Sequence, residues 1–458
     1  MTAVEEVDVV VVGMGPGGEE VAGRLAEAGL DVVGVDQRLL GGECPYYGCV
    51  PSQMMIRAAN ALGEGSRIPG LAGQSQITPD WSPVAARIRS DATDNWDDKV
   101  AVERFEGKGG RFVRGHGKLT AADTVAVDGR EFRARRGIVL NLGTEPALPP
   151  IEGLADTPLW TNREAITTTR VPSSLLVLGG GAIGVELAQV FSRFGARVTV
   201  VEATPHLLPP EEPESGGLLA EVFRREGIDV RVDAKVVAAS HGADGFTLRL
   251  DGGGTLSAEQ LLVATGRRLE LAAAGLDVIG VDVKARAVPV DGRLRVASGV
   301  WAVGDMTGKG AFTHVSMYQA EIVVADILGT PGVPAADYRA LPRVTFTDPE
   351  IASVGMTQAQ ARDAGIDVLV GKAEVAATSR GWIHGPGNDG FIRLIADAGR
   401  RILVGATVIG PCGGEVMSAL AVAIHAEVPV DRMLHMMYAY PTFHRGILDA
   451  LRDLRQPG

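Results

Sequence analysis

Val7-Asp8-Val9-Val10-Val11-Val12-Gly13-Met14-Gly15-Pro16-Gly17-Gly18 opens the chain and decides how it folds. The β-branched run has the composition of a parallel strand covered on both faces. Glycines follow at 13, 15 and 18, and a helical pattern is predicted from Glu19 to Ala28. Gly13 permits the tight turn, Gly15 lets a pyrophosphate approach the backbone, and Gly18 lets helix and strand pack closely. A second strand, Asp31–Val35, runs into Asp36, an acid placed to accept from a ribose hydroxyl. Strand, turn, helix and acid in this order read as a dinucleotide site, with phosphates at the helix N-terminus.

A second copy begins at Leu175. The strand Leu175–Leu178 meets Gly179-Gly180-Gly181-Ala182-Ile183-Gly184, then a predicted helix through Phe194, then Arg197–Val201 closed by Glu202. Gly179, Gly181 and Gly184 repeat the roles of the first set. Glu202 would bond both ribose hydroxyls of NADH and repel the extra phosphate of NADPH, and no Arg occurs in Ala203–His206. NADH is therefore the expected nucleotide and NADPH the alternative. Two dinucleotide sites in one chain imply a relay between a tightly held cofactor and an exchanging one. FAD is assigned to the first site, because a cysteine pair lies beside it. The predicted class is α/β, with two Rossmann-like domains.

Composition narrows the partners. The 458 residues carry a net charge of −12, which disfavours nucleic acid and anionic membranes. No apolar run reaches the roughly 20 residues that cross a bilayer, and the acidic start Met1–Glu6 does not resemble a secretion signal. With three cysteines, Cys44, Cys49 and Cys412, the expected compartment is the reducing cytoplasm. A disulfide kept there is a working part. Cys44 and Cys49 lie five residues apart in Gly41-Gly42-Glu43-Cys44-Pro45-Tyr46-Tyr47-Gly48-Cys49-Val50-Pro51-Ser52. Beside a redox cofactor they read as a disulfide that opens and closes. Cys412 reads as packing, and no metal site is expected.

These motifs together resemble the class I pyridine nucleotide–disulfide oxidoreductases, which include glutathione reductase, dihydrolipoamide dehydrogenase and mercuric reductase. The resemblance covers essentially the whole chain and adds Glu186, Ala264-Thr265-Gly266-Arg267, Val303-Gly304-Asp305 and Pro342–Glu350. It implies an FAD domain over 1–150, an NAD(P)H domain over 151–268, a return to the FAD domain over 269–340, and an α+β dimerisation domain over 341–458. It also implies a homodimer in which the C-terminal domain of one subunit completes the site of the other. Asp305 with Gly304 would contact the flavin ribityl chain, Cys49 would face the flavin, and Cys44 would attack substrate. The attacking species is a thiolate, whose pKa a helix N-terminus lowers.

The chain departs from the family at three positions. Gln53 stands where the family has a Lys that pairs with Glu186. In Tyr440-Pro441-Thr442-Phe443-His444-Arg445, Tyr440 replaces the catalytic His and Arg445 replaces the Glu that orients it. A phenol with a pKa of ~10 is a poor base at pH 7. Mercuric reductase also has Tyr at this place, but its C-terminal cysteine pair has no counterpart in Leu454–Gly458. If a helix begins near Thr442, Tyr440 and His444 share a face and His444 becomes a displaced acid/base. His314 is expected near the flavin. The stretch Gly63–Trp81 and a helix around Trp96 are candidates to line the entrance.

The expected activity passes electrons between NADH, FAD and the Cys44–Cys49 disulfide, to or from a small-molecule thiol or disulfide, through an atypical proton relay. A quinone, general electron-acceptor or mercuric/metal-ion reductase is the alternative. Gln53 removes a positive charge beside the flavin. Gln53→Lys is therefore expected to raise the flavin reduction potential in a redox titration, and an unchanged potential would contradict this.

Overall fold

In the computed structural model the described residues are 4–456; the first three residues of the acidic start and the last two of the C-terminal tail lie outside them. The chain forms two compact units, each assembled from discontinuous segments. The first comprises 1–52, 85–147 and 267–336, and the second 53–84, 148–266 and 337–458.

The first unit is built on the opening run, which forms the strand Val4–Val12 and begins three residues before Val7. It pairs in parallel with Val32–Asp36 on one side and Arg130–Leu140 on the other. Arg111–Arg114 and Val300–Ala302 extend the parallel sheet outward. Strand alternation sends Val9 and Val11 to one face and Val10 and Val12 to the other. Val9 and Val11 pack with Val21, Ala22 and Leu25 of the helix Pro16–Glu27 and with Val323 of the helix Thr313–Leu328. Val10 and Val12 pack with Leu119, Val125 and Phe132. Burial of each such Val contributes about 1.5–3 kcal/mol, so a strand with two apolar faces is the natural centre of the unit.

The second unit contains a four-stranded parallel sheet ordered Asp229–Arg231, Arg197–Val201, Ser174–Leu178, Gln260–Val263. The helix Ala182–Arg193 follows its central strand. A five-stranded antiparallel sheet is ordered Pro342–Thr345, Glu350–Gly355, Ile402–Gly410, Phe391–Asp397, Val368–Glu374. Val354, Leu394 and Val408 of that sheet pack with Leu420 and Ile424 of the helix Gly413–His425.

One face of the helix Ala182–Arg193 carries three polar groups towards the segment before Glu350. Glu186 accepts the Phe346 N–H at 2.8 Å, Gln189 accepts the Asp348 N–H at 2.8 Å, and Arg193 reaches the Asp348 carboxylate at 2.7 Å. The Arg193 side chain is 6% exposed and also holds Glu226 at 2.6 Å and Asn60 at 2.8 Å. Arg67 reaches Asp348 at 2.6 Å. A guanidinium suits this place because its rigid fork satisfies several acceptors at once. Arg193→Leu removes the shared cation and leaves the Asp348 and Glu226 carboxylates underpaired. Arg67 retains part of the pairing, so a loss of about 3 kcal/mol in urea unfolding is expected.

Candidate active site

The first fingerprint forms a clamp that explains each of its glycines. Gly13 has φ of +94°, and a Cβ there would lie 2.1 Å from Asn141 O. A Cβ on Gly18 would lie 2.0 Å from Gly13 O, so helix and turn approach as closely as backbone permits. Asp36 closes the turn: Oδ2 accepts the Met14 N–H and Oδ1 the Arg38 N–H, both at 2.8 Å. Burial pushes the Asp36 carboxyl up, and those N–H groups pull it back.

The second fingerprint repeats the clamp. Gly179 has φ of +109°, and a Cβ on Gly184 would lie 2.0 Å from Gly179 O. Glu202, 8% exposed, accepts Gly180 N–H at 2.7 Å through Oε2 and Thr204 N–H at 2.8 Å through Oε1. No atom lies within 4 Å of a Cβ built on Gly181, so the turn is open on the side a pyrophosphate would approach. Each carboxylate oxygen has one backbone partner and a further lone pair, which suits a vicinal diol. Both cradles therefore fit adenine dinucleotides: Gly13, Gly15, Gly18 and Asp36 for one, Gly179, Gly181, Gly184 and Glu202 for the other. Arg38 follows the first acid, whereas Thr204 holds the corresponding place after Glu202.

Asn141 ties the first turn to the return segment. Its side-chain oxygen takes the Gly18 N–H at 3.0 Å and its nitrogen donates to Val303 O at 3.2 Å. The next residue, Gly304, has φ of +79°, and a Cβ there would lie 2.7 Å from the Asn141 side chain. Asp305 accepts from Thr144 Oγ1 at 2.7 Å, and Arg267 Nε donates to that hydroxyl at 2.6 Å. Gly266 has φ of +119° and open space around it. Asn141 and Thr144 escaped the sequence reading. Their signal was the Asn141-Leu142-Gly143-Thr144 turn at the end of a sheet strand.

The cysteine loop lies on this turn. Gly41 N–H donates to Met14 O at 2.7 Å, and a Cβ on Gly42 would lie 2.8 Å from Gly15 Cα. Cys44 sits in the short helix Glu43–Tyr46, and Cys49 begins the helix Cys49–Arg67, in which Gln53 follows. Both thiols are free, Cys49 exposed and Cys44 half-buried. Cys49 Sγ lies 3.5 Å from the hydroxyl of Thr313, the first residue of the helix Thr313–Leu328. A hydrogen bond from Cys44, joined by one from Thr313, pulls the Cys49 thiol down to about 6. Partnership with Cys49, together with burial, pushes Cys44 upward. The lowered thiol is the one that begins the helix Cys49–Arg67 and lies beside the Thr313 hydroxyl. Thr313 is a further residue the sequence reading missed.

The C-terminal segment also departs from expectation. Tyr440–Arg445 lies in turns, and the helix begins at Gly446, not Thr442, so Tyr440 and His444 share no helical face. Tyr440 is 68% exposed, with the Arg445 guanidinium 5.6 Å above its ring. The His444 ring lies 5.8 Å from that of Tyr438. His314 stacks on Phe312 at 5.1 Å. Cys412 packs against the antiparallel-sheet core, and burial pushes its thiol up. Gly63 lies within the helix Cys49–Arg67. Trp81 is buried against Phe191 and Phe194, with its indole on Thr168 O, so it lines no entrance. Trp96 sits in a tight turn, Asp94–Trp96, instead of a helix. Among the described residues, no cluster of three or more His, Cys, Asp or Glu could hold a metal, and no helix is long and apolar enough to cross a membrane.

The sequence pattern of the pyridine nucleotide–disulphide oxidoreductases matches residues 7–320, and that of their dimerisation domain matches 341–451. The chain is 30% identical to a dihydrolipoyl dehydrogenase of Thermus scotoductus, over 98% of this chain and 97% of the relative. It is 31% identical to a mercuric reductase of Acidithiobacillus ferrooxidans, over 99% and 84%. Among solved structures, the Cu(II) complex of the HOCl-induced flavoprotein disulfide reductase RclA from Escherichia coli superposes with a TM-score of 0.85. That protein is 26% identical, and the match covers 98% of this chain and 99% of that one.

The thiol geometry yields a pH signature. Thr313→Val keeps the side-chain shape but deletes a donor to Cys49. That hydroxyl is one of the groups that hold the Cys49 thiol below its ordinary value. The variant should shift the midpoint of Cys49 alkylation upward by about one unit, lowering its rate at neutral pH.

Proposed function

The chain belongs to the pyridine nucleotide–disulphide oxidoreductase family, and from that premise we propose that it is an NADH-preferring enzyme working on a small-molecule thiol or disulfide. The thiol loop is the observation that carries this reading: Cys44 and Cys49 sit on a loop packed against the first glycine turn, with Cys49 Sγ 3.5 Å from the Thr313 hydroxyl. FAD, when bound, supplies the hydride acceptance and two-electron transfer that link NADH to the Cys44–Cys49 disulfide. Glu202, with Thr204 two residues on and no nearby arginine in 203–206, supports NADH over NADPH.

The reduced pair can manage one of two protons by itself. Cys44 passes its proton to Cys49 and attacks the acceptor disulfide as a thiolate. A mixed disulfide forms and the first thiolate leaves. Cys49 gives that group the proton and then, as a thiolate, attacks Cys44 sulfur. The Cys44–Cys49 bond closes and the second thiolate leaves. That second group needs a proton from outside the pair. The segment Tyr440–Arg445, in the domain the family uses to dimerise, is the proposed source. Tyr440 offers an O–H donor, and His444 an imidazole that can donate or accept, so His444 is the proposed partner for the reverse direction, dithiol oxidation. Cytoplasmic placement and a homodimer complete this reading.

A second reading, direct reduction of a quinone or metal ion, is favoured by the accessible phenol in place of an imidazole. Cys44→Ser separates the two. Loss of turnover with lipoamide or another small disulfide, by about a thousandfold or more, supports the thiol reading. Wild-type turnover confined to quinones or Cu(II), and kept by Cys44→Ser, would replace it.

A further inference from the structure

Within the first unit, the short segment Thr93–Asp98 touches the thiol loop at two points and carries no role so far. Trp96 Nε1 donates to the carbonyl of Tyr46 at 3.2 Å, between the two cysteines. Asp98, 6% exposed, accepts the Leu40 N–H at 2.6 Å, just before Gly41. Its carboxylate is held in turn by Arg114 at 2.7 Å, and Arg114 also donates to Arg38 O. The loop is thus gripped on both sides of Cys44.

The gripping segment is itself strained. Asp94, Asn95 and Trp96 have φ of 47°, 58° and 57°, three successive side-chain-bearing residues in the left-handed region. One wide helical turn over Ile88–Ala92 precedes them. Thr93, 1% exposed, anchors the turn by accepting Trp96 N–H at 3.4 Å and donating to Ile88 O at 3.0 Å. Such conformations persist only where their surroundings over-determine them, and they gather where geometry matters to function. An ordinary surface turn would need neither the strain nor an indole aimed at one carbonyl of the thiol loop.

We propose that Trp96 and Asp98 are positioning residues that hold the backbone between Cys44 and Cys49, and so set the equilibrium between the dithiol and the disulfide. The proposal rests on reading Cys44–Cys49 as the redox pair. A disulfide closes more favourably when its two sulfurs are already held together, because less freedom is lost on closure. A loosened loop lowers the effective concentration of one thiol at the other and makes the disulfide easier to reduce. It also weakens the donation from Cys44 to Cys49.

The experiment uses the FAD-loaded protein in glutathione buffers, with the Cys44–Cys49 state trapped by alkylation and read by mass spectrometry. The reaction is protein disulfide plus two glutathione thiols giving protein dithiol plus glutathione disulfide. Trp96→Phe keeps a ring and loses the donor. Its equilibrium constant for reduction should rise about three- to tenfold, which is about 14–30 mV, and the Cys49 alkylation midpoint should move up. Trp81→Phe is the control. It loses a similar indole bond, to Thr168 O at 3.0 Å in the second unit, and should lower the melting temperature while moving neither readout. If Trp96→Phe does not fold, benzothienylalanine at position 96 removes the N–H with the ring shape kept.

Variants at 96 that leave both readouts at the wild-type value overturn the proposal, whatever their stability. A wild-type protein that forms no Cys44–Cys49 disulfide overturns the redox-pair reading and the proposal with it. That outcome is distinct from a wild-type disulfide that the variants fail to shift.

Discussion

The contact between the glycine turn and the thiol loop is the constraint on which the first unit depends. Gly41 N–H reaches Met14 O, and Gly42 lies so close to Gly15 that a side chain on it would meet the Gly15 backbone. Met14 is also the residue whose N–H Asp36 holds. One residue therefore connects the acid of the nucleotide clamp to the loop that carries Cys44. The phosphate cradle and the thiols are fixed by the same few backbone atoms, so neither can shift without the other. This explains the density of glycine here, because backbone approaching backbone leaves no room for Cβ.

The thiol pair inherits an asymmetry from that placement. Cys49 stands at the start of one helix and beside the first residue of another, and it receives hydrogen bonds from Cys44 and Thr313. Cys44, in a single turn of helix, donates. Cys49 is therefore the lowered thiol of the two and Cys44 the raised one.

In the second unit a single helix face does comparable work. Glu186, Gln189 and Arg193 all hold the segment from Phe346 to Asp348. Glu186 was expected beside the flavin because the family pairs it with Lys, yet its carboxylate also caps a backbone N–H. With Gln53 in place of that Lys, the hydrogen bond to Phe346 gives Glu186 a partner that needs no side-chain cation.

Local chemistry was enough for both nucleotide clamps. Gly13, Gly18, Gly179 and Gly184 are required by close approach within one strand–turn–helix unit, and Asp36 and Glu202 close that same unit. The cysteine pair was equally legible, since its meaning follows from its position after the first clamp. Only tertiary structure brings the Thr313 hydroxyl to Cys49, because the two residues are 264 apart in the chain. It set the C-terminal helix start at Gly446 instead of Thr442, with Ile447, Leu448 and Leu451 packed in the antiparallel-sheet core. It also gave Trp96 a left-handed turn and a carbonyl to hold. Propensity disfavours that conformation, and only contacts from distant segments can supply the compensating energy.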